Sequence, residues 1–313
     1  MDGPVSYYPR QAESRLQEAL ADSPVVLIHG PRQCGKTTLA RRVCEPAGYG
    51  YASFDDDVLR HAAEVDPVGF VADLPDRMVL DEIQRVPRLF TTLKSAVDRH
   101  RLPGRFVLTG SSNVLLVPQL ADSLAGRMEI QRLHPLAQCE LARHPATFLD
   151  RLFGSGFKAR QSERLGRELA ERMSAGGYPA ALARPAGRRR TTWYRDDLDA
   201  LVQRDVRDLA RISSLDAMPR LLALAATHTA RLFNVTALGA PFQLSRPTIR
   251  DYLTLLERLF LIDVLPPWHT NRLSRLREAS GQRFAAGVVL YDGETTASFG
   301  NGLAAVPVRR LWE

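Results

Sequence analysis

At 313 residues, 45% hydrophobic and 25% charged, the chain has the make-up of a folded protein with room for two or three domains, each with its own core. It contains no run of 18 apolar residues, which argues against a membrane-spanning helix, and its three cysteines (Cys34, Cys44, Cys139) have neither metal-ligand spacing nor the even number of a disulfide framework. With no apolar leader after Met1, these features predict a reducing, cytoplasmic setting and no membrane partner. The net charge of +7 comes from arginine, which is compatible with an anionic partner without identifying one.

Residues 9–21 place Leu16 and Leu20 on one face and predict an N-terminal helix, the unit 1–22, that closes near Asp22-Ser23-Pro24. Short apolar runs then alternate with longer helical ones. Strands are predicted at Val25–Ile28, Tyr51–Phe54, Met78–Leu80, Phe106–Leu108 and Met128–Ile130, with helices between them, notably Arg88–His100 after Pro87. Alternation of this kind predicts an α/β domain with a parallel sheet over 23–145. Residues 147–233 read as helix throughout, broken at Gly154–Gly156, Gly176-Gly177-Tyr178-Pro179 and Pro185–Gly187, so 146–233 is predicted to be an all-helical region.

Residues 234–270 read as a winged helix-turn-helix. Asn234–Leu238 is a short helix and Gly239-Ala240-Pro241 a break, after which Ser245 caps a helix through Leu259. Its apolar positions Ile249, Tyr252, Leu253, Leu256 and Leu259/Phe260 follow the 3.6-residue period, and Leu261–Leu265 with Pro266-Pro267-Trp268 are predicted to form the wing. The outer face carries Arg246, Thr248, Arg250 and Arg258, a basic surface suited to duplex DNA, mostly through phosphates. Winged helices also bind proteins, so a protein partner stays open.

The chemistry is concentrated at Gly30-Pro31-Arg32-Gln33-Cys34-Gly35-Lys36-Thr37, a complete G-x-x-x-x-G-K-[ST] motif. The Val25–Ile28 strand leads in and the helix-compatible Thr37–Val43 leads out, the context in which backbone N–H groups and a helix N-terminus surround a polyphosphate. The predicted phosphate cradle is Gly30 to Thr38, with Cys34 a small residue that fits. Lys36 would set a compact cation against the β- and γ-phosphates, and Thr37 would ligate Mg²⁺. Lysine occurs only at 36, 94 and 158, so a chain that uses arginine almost everywhere has kept lysine where a point charge is needed. Asp81 and Glu82 end an apolar strand, where a parallel sheet opens its ligand crevice. Asp81 is predicted to hold Mg²⁺ and Glu82 to polarise the attacking water. Asn113, or Ser111 or Ser112 beside it, could bond the γ-phosphate or that water, and Arg127 is a candidate arginine finger acting in trans within a homo-oligomer.

Gly30–Thr37, Phe54-Asp55-Asp56-Asp57, Leu80-Asp81-Glu82-Ile83-Gln84, Leu108–Asn113 and Ser123–Arg127 together resemble the AAA+-type P-loop ATPases of the AAA_14 class, in which the ATPase precedes a DUF4143 region. Gly176-Gly177-Tyr178-Pro179 and Arg204-Asp205-Val206-Arg207-Asp208-Leu209 also resemble that family. The resemblance implies ATP binding with Mg²⁺ and ATP hydrolysis. It also implies a PD-(D/E)xK nuclease-like domain after the winged helix, of which only Asn271–Arg275 and Leu276–Glu313 look represented. No lysine follows Lys158, and Glu278, Asp292 and Glu294 form no recognisable metal-binding set, so no nuclease activity is expected. Residues 271–313 are expected to be a remnant with a lone Gly287–Tyr291 strand, poorly packed or docked on a neighbour, and rapidly trimmed at 270–285. The leading expectation is an ATPase coupled to DNA. The alternatives are a slow nucleotide-dependent switch that binds a protein, and a degenerate remnant.

Overall fold

A computed structural model of the chain describes residues 7–111, 124, 126–154, 156–157, 161–202, 217–229, 235–242, 244–264, 284–300 and 302–312. After α1 (Ala12–Asp22), the first strand β1 (Val25–His29) runs into α2 (Lys36–Cys44). β2 (Gly50–Ser53), α3 (Asp57–Val65), α4 (Pro67–Ala72), β3 (Met78–Asp81), α5 (Leu89–Arg99), β4 (Phe106–Gly110) and β5 (Met128–Arg132) follow. The five strands form one sheet, parallel as the alternating pattern predicts, in the order β2-β3-β4-β1-β5. Each predicted strand is present, shifted or extended by one or two residues.

β1 shows why its sequence is apolar without alternation. Val25 and Leu27 face a core shared with Phe54, Leu80, Leu89, Leu93 and Phe106, while Val26 and Ile28 face Leu16, Leu39, Ala40, Val79 and Val107. Helices cover both faces, so every position of the strand is buried. β4 lies between β1 and β3, although it follows both in sequence. The ends of β1, β4 and β3 therefore open side by side at one edge of the sheet.

The chain continues through α6 (Gln138–Ala142), α7 (Phe148–Phe153), α8 (Arg167–Ala175), α9 (Pro179–Leu182), α10 (Arg188–Ala200) and α11 (Ala217–Ala226). A compact helical unit follows from α12 (Val235–Gly239) and α13 (Arg246–Arg258), packed with α11 through Met218, Leu221, Ile249, Tyr252, Leu253 and Leu256. Ser245 caps α13 as expected, its Oγ accepting from the Thr248 N–H at 3.3 Å. Half of the predicted wing, 265–268, falls outside the described residues; 261–264 form no strand. That segment turns onto the ATPase-like sheet. Phe260 (φ 60°) sits edge-on to His29 at 5.4 Å and under the Arg132 guanidinium at 5.1 Å. Asp263 accepts two hydrogen bonds from Arg132, at 2.8 and 2.9 Å.

The expectation for the C-terminus is corrected. β6 (Gly287–Tyr291) is not a lone strand: it pairs in parallel with β8 (Leu303–Pro307), which pairs antiparallel with β7 (Ala297–Gly300). The small sheet is tied to its own chain rather than left for a neighbour. Trp312, Val308 and Leu311 pack with Cys139, Leu165 and Leu169, and the Asp292 carboxylate accepts from the N–H groups of Leu165 and Gly166, each at 2.9 Å. The partner of the Gly287–Tyr291 strand lies after it in the sequence, in a run of small residues too short to stand out as a strand.

Candidate functional site

The phosphate loop bridges β1 and α2. A Cβ on Gly30 would lie 2.1 Å from the Leu133 carbonyl oxygen, so only glycine lets the loop start against the chain leaving β5. Gly35 takes φ +100° and Gln33, at the apex, φ +58°. α2 begins at Lys36 with no side chain capping its first turn, which leaves the N–H groups of that turn directed at the cradle. Lys36 is buried and donates to the carbonyls of Gly30 (3.0 Å) and Pro31 (2.8 Å), so its ammonium lies under the loop.

Asp81, buried at the tip of β3, gathers three hydroxyls. Thr37 Oγ1 donates to its carboxylate (2.9 and 3.1 Å to the two oxygens), Tyr51 donates at 2.8 Å, and Thr109 donates from the neighbouring strand β4. Burial and this bond push the Tyr51 phenol up to about 12. The next residue, Glu82, leaves the strand in the left-handed region (φ 57°). Its N–H donates to Thr109 Oγ1 at 3.1 Å, and its carboxylate accepts from Ser111 Oγ (2.8 Å) and from Gln84. The turn aims Glu82 away from the sheet into a cavity of about 490 Å³ that it shares with Gly35, Lys36 and Thr37. A second, polar cavity of about 570 Å³ adjoins it, with Gln33 and Glu82 on the wall of both.

The structure thus brings Lys36, Thr37, Asp81 and Glu82 together, as the motifs predict, and adds residues that the motifs do not announce. Tyr51 and Thr109 are two. Arg10 is a third: Nη1 donates to the Cys34 carbonyl (2.8 Å), Nη2 to the His134 carbonyl (2.6 Å), and Nε pairs with Glu140 at 3.1 Å, with both side chains about 5% exposed. Glu140 also accepts from the N–H groups of Gln11 (2.8 Å) and Ala137 (2.9 Å), so the pair clamps the start of the chain, the loop and α6 together. The apolar side of the first cavity is lined by Tyr7, Tyr8, Leu136 and Pro179, the last from the Gly176–Pro179 break. Cys34 is fully buried, its thiol 3.4 Å from the Leu133 carbonyl, and burial pushes its pKa up against the pull of Lys36 and Arg10.

Other predicted residues lie elsewhere. Arg127 starts β5 at the opposite end of the sheet, where its carbonyl accepts from Val25 N–H and its guanidinium holds Asp98 at 2.5 and 3.1 Å. It takes no part in this chain's own site. Asn113 and Ser112 fall outside the described residues, as do Arg204–Leu209. Arg246 and Arg250 are exposed on α13, whereas the Thr248 hydroxyl is engaged with Ser245 at 2.7 Å.

The hydroxyl–carboxylate pair Thr37–Asp81 beside a buried lysine fits Mg²⁺ and a polyphosphate: Thr37 and Asp81 could hold the ion, and the uncapped first turn of α2 offers its N–H groups to phosphate oxygens. A five-stranded parallel sheet with this loop after β1 and the carboxylates at the end of β3 defines a P-loop nucleoside-triphosphatase domain. In agreement, residues 22–142 match the family model described as an AAA domain. Residues 166–284 match a model described as a domain of unknown function, DUF8612. Uncharacterized proteins of Mycobacterium tuberculosis and Mycobacterium bovis are each 30% identical over 272 residues, a stretch that is 86% of this chain and 56% of theirs. The chain therefore spans about half the length of these curated relatives. Among solved structures, a Walker-type ATPase of Pyrococcus abyssi is 16% identical, with 81% of this chain and 90% of that one covered and a TM-score of 0.46. No helix among the described residues is long and apolar enough to cross a membrane.

Proposed function

We propose that the chain binds Mg²⁺-ATP in the Gly30–Thr38 cradle and hydrolyses it, with the cycle transmitted to its C-terminal half. The observation that carries this reading is the Thr37–Asp81 hydrogen bond beside the buried Lys36, an arrangement in which a phosphate site and a metal site share one wall. Thr37 and Asp81 would hold the Mg²⁺, which would neutralise charge on the polyphosphate. Lys36 turns from the loop carbonyls to the phosphate oxygens. Thr109 and Tyr51 hold the Asp81 carboxylate in place, and Glu82 accepts a proton from the water it orients, with Ser111 and Gln84 fixing its rotamer. Tyr7, Tyr8, Leu136 and Pro179 offer the apolar wall against which a nucleobase packs.

Coupling to the C-terminal half is supported by Phe260 packing on His29, the residue directly before Gly30. The exposed Arg246 and Arg250 of α13 favour duplex DNA as the partner; a slow switch that binds a protein is the second reading. Arg127 would act, if anywhere, on a neighbouring copy in a homo-oligomer. The absence of lysine after Lys158 in this sequence, with no recognisable metal-binding set among Glu278, Asp292 and Glu294, supports the reading that residues 271–313 carry no nuclease chemistry. Steady-state ATP hydrolysis with and without duplex DNA, with Lys36→Ala as the blank, tests the proposal. Turnover raised several-fold by DNA supports the DNA-coupled ATPase, turnover indifferent to DNA supports the switch, and turnover equal to the blank overturns the ATPase reading.

A further inference from the structure

Among the described residues, the helical region meets the phosphate loop through a polar contact. Gln33 Nε2, at the loop apex, donates to the Asp197 carboxylate of α10 at 3.3 Å. An acid here is unexpected, because the loop is otherwise arranged to receive anions. Gln33 itself is exposed, but the carboxylate it meets is fixed in place, since α10 is anchored to residues 175–178 and these to Leu136. Leu136 N–H donates to the Gly177 carbonyl at 2.7 Å, and a Cβ on Gly177 would lie 2.2 Å from the Leu136 carbonyl oxygen. Tyr178 packs on Trp193 at 5.7 Å between ring centroids, and the Tyr194 hydroxyl donates to Ala175 at 2.8 Å. Trp193 and Asp197 lie four residues apart on one face of α10, so the aromatic anchor presents the carboxylate to the loop.

Gln33 and Glu82 line both cavities, which puts Gln33 at the end of the cradle where a terminal phosphate would face the attacking water. The inner phosphates would be held farther back, by Lys36 and the first turn of α2. We infer that Asp197 is a specificity-determining residue that sets the preference between nucleoside di- and triphosphate: its carboxylate takes the same loop donor that a γ-phosphate would use, and repels that phosphate. Burial holds the Asp197 pKa above its ordinary value while the nearby Arg32 opposes the shift, which places Arg32 of the loop in the same competition. A triphosphate must therefore displace Asp197, and α10 with it. A diphosphate leaves the contact intact. The γ-phosphate would in this way be read directly by the helical region.

The inference rests on the reading of the loop as an ATP site, and the experiment separates the two. The dissociation constants of Mg²⁺-ADP and of a β,γ-methylene ATP analogue are measured by calorimetry on the full chain, as wild type, Asp197→Asn and Asp197→Glu. Removing one charge at this range should tighten the triphosphate analogue about five-fold and change ADP by less than about two-fold. Asp197→Glu should keep the wild-type ratio. Raising KCl from about 50 to about 500 mM should shrink the di- versus triphosphate gap in the wild type but not in Asp197→Asn, an arm that reports on the wild-type protein itself. An unaltered ratio in Asp197→Asn, or equal tightening of both nucleotides, overturns the inference and leaves the ATP site standing. Failure of the wild type to bind either nucleotide overturns both.

Discussion

Thr37 and Asp81, 44 residues apart in the chain, are hydrogen-bonded through both carboxylate oxygens at 2.9 and 3.1 Å. One belongs to the first turn of α2, the other to the last position of β3, and the bond joins the phosphate loop to the carboxylate strand across the intervening β4. Asp81→Asn keeps the shape of the site and removes the charge that a divalent ion needs. Turnover at saturating ATP should fall about 100-fold and its dependence on MgCl₂ should move to higher concentration. An unchanged Mg²⁺ titration would remove Asp81 from the metal site.

Glu82 is held by Ser111, Gln84 and its own left-handed backbone, so a change confined to its carboxyl group leaves the loop unaltered. Glu82→Gln should bind nucleotide as the wild type does and lose about 10²- to 10⁴-fold in turnover. Single-turnover hydrolysis beside equilibrium binding checks both halves, and undiminished hydrolysis would assign the proton acceptor elsewhere.

The Arg10–Glu140 pair is buried on both sides and carries four further hydrogen bonds, so removing one partner strands the other. Arg10→Ala should cost about 3–5 kcal/mol in urea unfolding, and Arg10→Met with Glu140→Leu should recover a large part of that. Loss of less than about 1 kcal/mol in the single variant would show that the clamp is solvated in solution.

His134 lies next to the Arg132–Asp263 contact. Burial lowers its pKa, Arg132 adds to the fall and Asp263 opposes it. A histidine whose folded pKa is depressed is neutral in the folded state at pH values where the unfolded chain takes up a proton. Its contribution to stability is therefore present above the ordinary value of 6.5 and is lost as pH falls through it toward the folded pKa. The unfolding free energy should drop as pH falls from about 7 to 5, and His134→Gln should flatten that part of the curve. Parallel curves for the two proteins would count against the effect.

The C-terminal sheet makes the opposite forecast to that of a loose tail. With Asp292 holding Leu165 and Gly166, and Trp312 packed beside Cys139, residues 287–312 should resist limited trypsin treatment as long as the helical region does. Mass spectrometry of the digest shows this directly. Early cleavage after Arg309 or Arg310 would contradict the packing.

Much of this was legible along the chain, and the reason is locality. The phosphate loop, its leading strand and its trailing helix are contiguous, and their roles follow from backbone torsions and a lysine at one position. The parallel sheet showed itself because strands buried on both faces are apolar at every residue, as in Val25–Ile28. The Ser245 cap and the stripe on α13 were legible for the same reason: a helix writes its period into neighbouring residues. Asp81 and Glu82 could be singled out as a pair, although their separate orientations could not.

Other features depend on which distant segments meet. The insertion of β4 between β1 and β3 brings Thr109 and Ser111 to the carboxylates, and no local pattern records strand order. Arg10 meets Glu140 at a separation of 130 residues, and Gln33 meets Asp197 at 164. Among 39 arginines and many acids, neither pairing carries a signal of its own. The same holds for Gly287–Tyr291, which looked alone because its partner β8, and β7 beyond it, are short and lie after it. The sequence by itself determined the identity of the nucleotide loop, because that chemistry is built from consecutive residues. Only the tertiary structure decided what surrounds the loop, because burial and charge pairing depend on neighbours in space.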